Sequence, residues 1–238
     1  MKKLIIILIV LVIIGGLVFG GLLFMGCTNI HFHDKAKDGQ IKVACVGDSI
    51  TYGMLVTNVF SNSYPARLSE KLGEEYHVLN FGFSGKTAQD NNKDSYRKTN
   101  KYKLSIEYQP DVVVIMLGSN DTKAYNWSTR EKFKADYKEL ISVYLNLESK
   151  PRVIIGTPNS GFYVGEKSTG VYNYDIDGEK LAIVTEVVKE LAVELDVEIF
   201  DTYELTKAHP EWYKLDGIHP NKDGANAMAE VVASVIKK

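Results

Sequence analysis

The chain reads as an α/β protein, a three-layer α/β/α sandwich around a parallel sheet of roughly five strands. Three observations predict this class. Short β-branched runs alternate with helix-period stretches from Ile41 to the C-terminus, the pattern of a parallel sheet with helices on both faces. The run Asp111-Val112-Val113-Val114-Ile115-Met116-Leu117 has the continuous apolar character of a central strand. Several strand-like runs also end in turns rich in Gly, Ser and Asn, whose side chains would gather on one edge of such a sheet.

The N-terminus stands apart. Lys2 and Lys3 precede an uncharged apolar run over residues 4–25, long enough to cross a bilayer, which needs roughly 20 residues. It is longer than the roughly 7–15 apolar residues of a secretory signal. The paired lysines would stay cytoplasmic and place the remainder outside. Phe24-Met25-Gly26-Cys27 also resembles a bacterial lipoprotein box, with Cys27 as the lipidated residue and Phe24 where leucine is usual. Both readings make residues 1–27 a membrane tether with the folded part extracytoplasmic, and the uncleaved anchor is the favoured one. Residues 28–40 read as a polar linker, with His31 and His33 as solvated side chains that lack a third metal ligand nearby. Residues 41–238 form a single domain of ordinary size.

Within that domain, residues 41–45 read as the first strand, bounded by Gly39 and Gly47. A helix opens at Ser63, a candidate N-cap, with Pro65 in its first turn, and Gly73 ends it. Residues 76–81 give a second strand. Residues 89–108 are polar and predict a loop and an irregular helix. After the central strand, Phe133, Tyr137, Leu140, Ile141, Tyr144 and Leu145 recur at helical spacing within residues 129–147, a core-facing stripe. Residues 153–156 make a fourth strand, and residues 158–174 a long surface loop rich in Gly, Tyr and Asn. A helix over 181–195, a fifth strand over 197–200 and a closing helix over 223–236 complete the chain.

Charge is nearly balanced, with 28 Lys and Arg against 30 Asp and Glu, which argues against a nucleic-acid surface. The two cysteines, Cys27 after the apolar run and Cys45 in the first strand, are poorly placed to pair, so the fold is not disulfide-stapled.

Four strand-end or terminal segments carry unusual polar residues: Gly47-Asp48-Ser49, Asn80-Phe81-Gly82-Phe83-Ser84-Gly85, Gly118-Ser119-Asn120-Asp121 and Asp216-Gly217-Ile218-His219-Pro220. Thr51 replaces the second glycine of a G-x-S-x-G elbow, so Ser49 does not sit in that motif. Ester cleavage by a serine needs a base for its proton, a partner that orients the base, and fixed donors for the oxyanion. All of these residue types are present on the expected edge.

Taken together and in order, Gly47-Asp48-Ser49, Gly85, Gly118-x-Asn120-Asp121 and Asp216-x-x-His219-Pro220 resemble the four blocks of the SGNH (GDSL-type) hydrolases. The resemblance spans Ile41 to the end and implies a flavodoxin-like SGNH hydrolase fold. It implies Ser49 as nucleophile, His219 as general base and acid, and Asp216 as the residue orienting the imidazole. The oxyanion hole would comprise the backbone N–H of Ser49, that of Gly85, and the Asn120 side chain. Gly82 competes for the middle role, but the family's glycine stands five residues after the strand-end asparagine, here Asn80, which selects Gly85. Asp48 and Asp121 are expected to be structural, bonding loop backbone, and Lys86 to shape the pocket. The stretch from Leu117 to Lys123, followed by Asn126-Trp127, looks most like the carbohydrate and sialate O-acetylesterase branch. This implies a serine esterase acting on short-chain, acetyl esters of carbohydrates, without metal or cofactor. The alternative is a lysophospholipase or thioesterase for longer acyl chains. A non-catalytic glycan-binding domain would lack one of these residues, and none is missing. Phe162, Tyr163, Tyr172 and Tyr174 could stack on sugar rings or pack over the sheet edge.

Overall fold

The computed structural model describes the chain apart from residues 1, 31–32, 91–92 and 164–171, and gives the backbone alone for residues 2–6. The expectations for His31 and for residues 164–171 of the 158–174 loop therefore lie outside the described residues. A helix α1, Lys2–Phe24, comes first. The segment Ile7–Phe24 is long and apolar enough to cross a membrane, and none of it is buried against the rest of the chain.

Five strands follow: β1 (Ile41–Gly47), β2 (Tyr76–Gly82), β3 (Val112–Met116), β4 (Arg152–Gly156) and β5 (Glu198–Phe200). They form one sheet in the order β2-β1-β3-β4-β5, and every pairing is parallel. Alternate side chains feed two cores, as a pleated strand buried on both faces requires. Ala44, Val46, Val113 and Ile115 join the first core with Phe133, Tyr137, Val184 and Leu191. Val43, Cys45, Val114 and Met116 join the second with Leu68, Met228 and Val232. The first core is covered by α5 (Asn100–Glu107), α6 (Arg130–Leu145) and α7 (Gly178–Glu194), the second by α4 (Tyr64–Leu72) and α9 (Lys222–Ile236). The α/β/α sandwich and its five-stranded parallel sheet are as the sequence predicts.

The boundaries follow local chemistry. The carboxylate of Asp177 caps α7 by accepting from Glu179 N and Lys180 N, and Asn221 caps α9 in the same way. Ser63 holds the N-cap position of α4 in extended conformation, but its side chain makes no capping bond. The sequence misses three short helices: α2 (Ser49–Tyr52), α3 (Val59–Asn62) and α8 (Thr202–Lys207). None is long enough to show a helical period. Cys27 and Cys45 are both free.

The segment before β1 departs from a solvated linker. Ile41 N bonds Glu75 O, and Phe83 N bonds Gly47 O, so odd-numbered β2 residues face β1 and even-numbered ones face outward. On that outer edge His33 Nε2 lies 3.0 Å from Asn80 O, and Asn29 Oδ1 accepts from Ser84 N at 2.7 Å. The His33 ring meets Phe81 edge-on at 4.7 Å. Burial holds its pKa below the ordinary imidazole value. His33 is thus an edge-strand partner, and its solvated reading is corrected.

Candidate active site

The parallel register brings the strand ends level. Gly47 pairs with both Gly82 and Met116, so the turns after β1, β2 and β3 open on the same carboxyl edge. At the end of β1 the Asp48 carboxylate accepts from Ile50 N at 2.9 Å and starts α2 at Ser49. Ser49 is buried, with 9% of its surface exposed.

Ser49 Oγ lies 2.9 Å from His219 Nε2. On the other side of the ring, His219 Nδ1 lies 2.7 Å from Asp216 Oδ2. The second oxygen, Asp216 Oδ1, accepts from the backbone N–H groups of Ile218 and His219, each at 2.9 Å. Burial alone would raise the Asp216 pKa, but the His219 ring and these two N–H donors outweigh it and hold the carboxyl below its ordinary value. An ionised Asp216 fixes the imidazole with Nδ1 protonated and leaves Nε2 free to accept a proton from Ser49. His219 is 3% exposed.

A cavity of about 240 Å³ opens above these groups, and Ser49, Gly85, Asn120 and His219 all line it. Gly85 has φ +78°, a left-handed turn favoured by glycine. Gly82 does not reach the cavity. A Cβ there would come within 2.3 Å of Tyr52 N, so that glycine serves the packing of β2 on α2. The Asn120 amide donates to Asp48 Oδ2 at 3.3 Å and to Lys86 O at 3.2 Å, and its backbone carbonyl accepts from Asn126 at 2.9 Å. Both carboxylates flanking the site bond backbone: Asp121 accepts from Ala88 N and Gln89 N. Burial raises Asp48 to about 6 and Asp121 to about 7.

The structure therefore brings Ser49, Gly85, Asn120, Asp216 and His219 to one place. Other expectations resolve differently. Lys86 does not line the cavity; its ammonium turns to Asp94 at 3.6 Å and lies over the Phe83 ring. Trp127 stacks on Phe133 within the core. Of the loop aromatics, Phe162 packs on Tyr213 and Tyr163 on Tyr172. Tyr174 alone lines the cavity, edge-on to His219 at 5.4 Å. The sequence reading misses the apolar walls, Ile50, Met54, Ile176 and Ile218, and the cationic Lys123 at the rim. These residues come from four separate segments, and no spacing rule links them. Among the described residues no group of three or more His, Cys, Asp or Glu is placed to hold a metal ion.

The model of the GDSL-like lipase/acylhydrolase family matches residues 45–227. An acetylxylan esterase of Xylanibacter ruminicola is 33% identical over 218 residues, which is 84% of this chain and 44% of that protein. The chain thus spans less than half the length of that relative. The thioesterase 1/protease 1/lysophospholipase L1 of Escherichia coli is 24% identical over 90% of both chains. Among solved structures, a carbohydrate acetylesterase from Sinorhizobium meliloti has a TM-score of 0.66 at 20% identity, covering 83% of this chain and 99% of its own. An aryl esterase of M. smegmatis has a TM-score of 0.67 at 21% identity, covering 83% and 98%. At such identities the two structures speak for the fold alone.

Proposed function

Because the chain belongs to the GDSL-like lipase/acylhydrolase family and is a carboxylic ester hydrolase, we propose that it removes acetyl groups from carbohydrates by serine catalysis. The observation that carries this reading is the continuous line of contacts Ser49–His219–Asp216 beneath a cavity lined by Gly85 and Asn120. Ser49 Oγ attacks the ester carbonyl while His219 Nε2 takes its proton. Asp216 stabilises the imidazolium that results. The oxyanion is received by the N–H groups of Ser49 and Gly85 and by the Asn120 amide. His219 then protonates the departing sugar oxygen, and water releases acetate by the same route in reverse.

The acetyl assignment is supported by the acetylxylan esterase relative and by the small cavity, with Tyr174 at its mouth to stack on a sugar ring. A second reading, a lysophospholipase or thioesterase, is favoured by the Ile50, Met54, Ile176 and Ile218 walls and by the Escherichia coli relative. Acyl-chain length separates the two. Each methylene buried in an apolar groove is worth about 0.8 kcal/mol, so an enzyme shaped for long chains gains steadily with length. We expect kcat/KM to be highest for acetyl esters and to fall steeply beyond butyryl. Faster cleavage of octanoyl esters would replace the acetylesterase reading with the second. We further propose that α1 anchors the protein in a membrane with the hydrolase domain extracytoplasmic, as the paired Lys2 and Lys3 before the apolar helix favour.

A further inference from the structure

An apolar anchor ordinarily joins its domain through a slack linker, which leaves the active site free to face any direction. Here the link is docked. Met25 O accepts from Leu55 N at 2.9 Å. Gly26 (φ +67°) presses so closely on Gly53 that a Cβ would stand 2.6 Å from Gly53 O. Ile30 N donates to the Tyr52 hydroxyl at 3.0 Å, and the Thr28 hydroxyl lies 3.3 Å from the same oxygen. Asn29 holds Ser84 N.

The domain-side partners Tyr52, Gly53 and Leu55 follow β1, and Ser84 follows β2, so all lie at the carboxyl edge of the sheet. Met54, between two of them, and Ser84 itself line the cavity over Ser49. The end of α1 thus stands beside the mouth of the pocket. On the carboxyl side of the sheet, Tyr125 (64% exposed) follows the turn after β3 and Leu215 (94%) adjoins Asp216, and a tyrosine ring suits the headgroup level of a bilayer.

We propose that the pocket-bearing edge of the sheet lies against the surface of the bilayer from which α1 emerges, so that the ester it cleaves is presented at that surface. This rests on the reading of α1 as a membrane anchor. It goes beyond tethering, because a slack tether would serve substrates in any direction.

The test uses the full chain in phosphatidylcholine–phosphatidylglycerol vesicles containing a nitroxide-headgroup lipid as quencher. In a Cys27→Ser background, where the remaining Cys45 is buried, a fluorophore is placed by Leu215→Cys, next to Asp216. In a second protein it is placed by Val193→Cys. Val193 is 84% exposed near the C-terminal end of α7, which leads back to the amino edge of the sheet. The lipid should quench the label at position 215 several-fold more than the label at 193. A flexible Gly-Ser spacer inserted between Phe24 and Met25, ahead of every docking contact, should bring the two close to equality. Equal quenching in vesicle-bound protein without the spacer overturns the inference, and a difference that survives the spacer overturns the docked link as the cause of the orientation. Failure to float with the vesicles overturns the anchoring premise instead, and leaves the esterase reading untouched.

Discussion

The Asp48 carboxylate and the Asn120 side-chain amide are joined by a hydrogen bond of 3.3 Å, although 72 positions separate them in the chain. The other Asp48 oxygen starts α2 through Ile50 N, so one buried carboxylate sets both the helix that carries Ser49 and the amide proposed for the oxyanion. Its pKa is raised to about 6 by burial, so protonated Asp48 favours the fold. That contribution is complete below the ordinary value of 3.8 and is lost as pH rises through about 6. Asp48→Asn is neutral at every pH, so its Tm relative to the parent should be higher at pH 8 than at pH 4. With its new NH₂ facing the Asn120 amide, donor against donor, kcat should fall, by less than the roughly 10²–10³-fold expected for losing an oxyanion donor outright. Thermal unfolding at the two pH values and steady-state kinetics check both effects.

Removing the nucleophile is the most direct test of the site. Ser49→Ala should abolish measurable ester turnover while leaving the circular dichroism spectrum and Tm close to those of the parent. A remnant of roughly 10³–10⁴-fold over water can persist from oxyanion stabilisation and binding alone. A serine-directed phosphonate should label Ser49 and no other residue by mass spectrometry.

Asn120→Ala should lower kcat by roughly 10²–10³-fold with little change in KM for a small acetyl ester, because the lost donor acts on charge that develops only in the transition state. A change confined to KM would assign Asn120 to substrate binding. Asp48 would lose a partner in this variant, and an orphaned buried acceptor costs roughly 1–3 kcal/mol. The Tm should therefore drop as well.

For the N-terminus, Cys27→Ala should leave the protein in the membrane fraction with Met1 or Lys2 at its N-terminus, and the parent should take up no labelled fatty acid. Cleavage before Cys27 in the parent, abolished in the variant together with fatty-acid incorporation, would replace the anchor with a lipoprotein.

Much of this was legible in the sequence for identifiable reasons. β3 is apolar on both faces and cannot be mistaken for a surface segment, and the α6 stripe from Phe133 to Tyr144 is long enough to show its period. The polar site residues announced themselves because Ser49, Gly85 and Asn120 follow strand ends, and Asp216 and His219 sit in the turn that leads into α9. The apolar half of the pocket did not. Ile50, Ile176 and Ile218 look like any other isoleucines until the fold brings them together. Nor could Asn29, Ile30 and His33 be read correctly, since residues of a polar linker docked by individual hydrogen bonds have the same composition as free ones.

The outer edge of β2 carries one further consequence, for handling the protein in solution. An uncovered edge strand is a template for pairing with another chain, and so for aggregation. Here His33 meets the outward carbonyl of Asn80 and Asn29 meets the N–H of Ser84. A soluble form trimmed to the first strand at Ile41 would keep the sheet and the Ser49 site but shed this cover. One that begins at Thr28 retains both contacts, and it is the form expected to stay monomeric at the concentrations crystallisation demands.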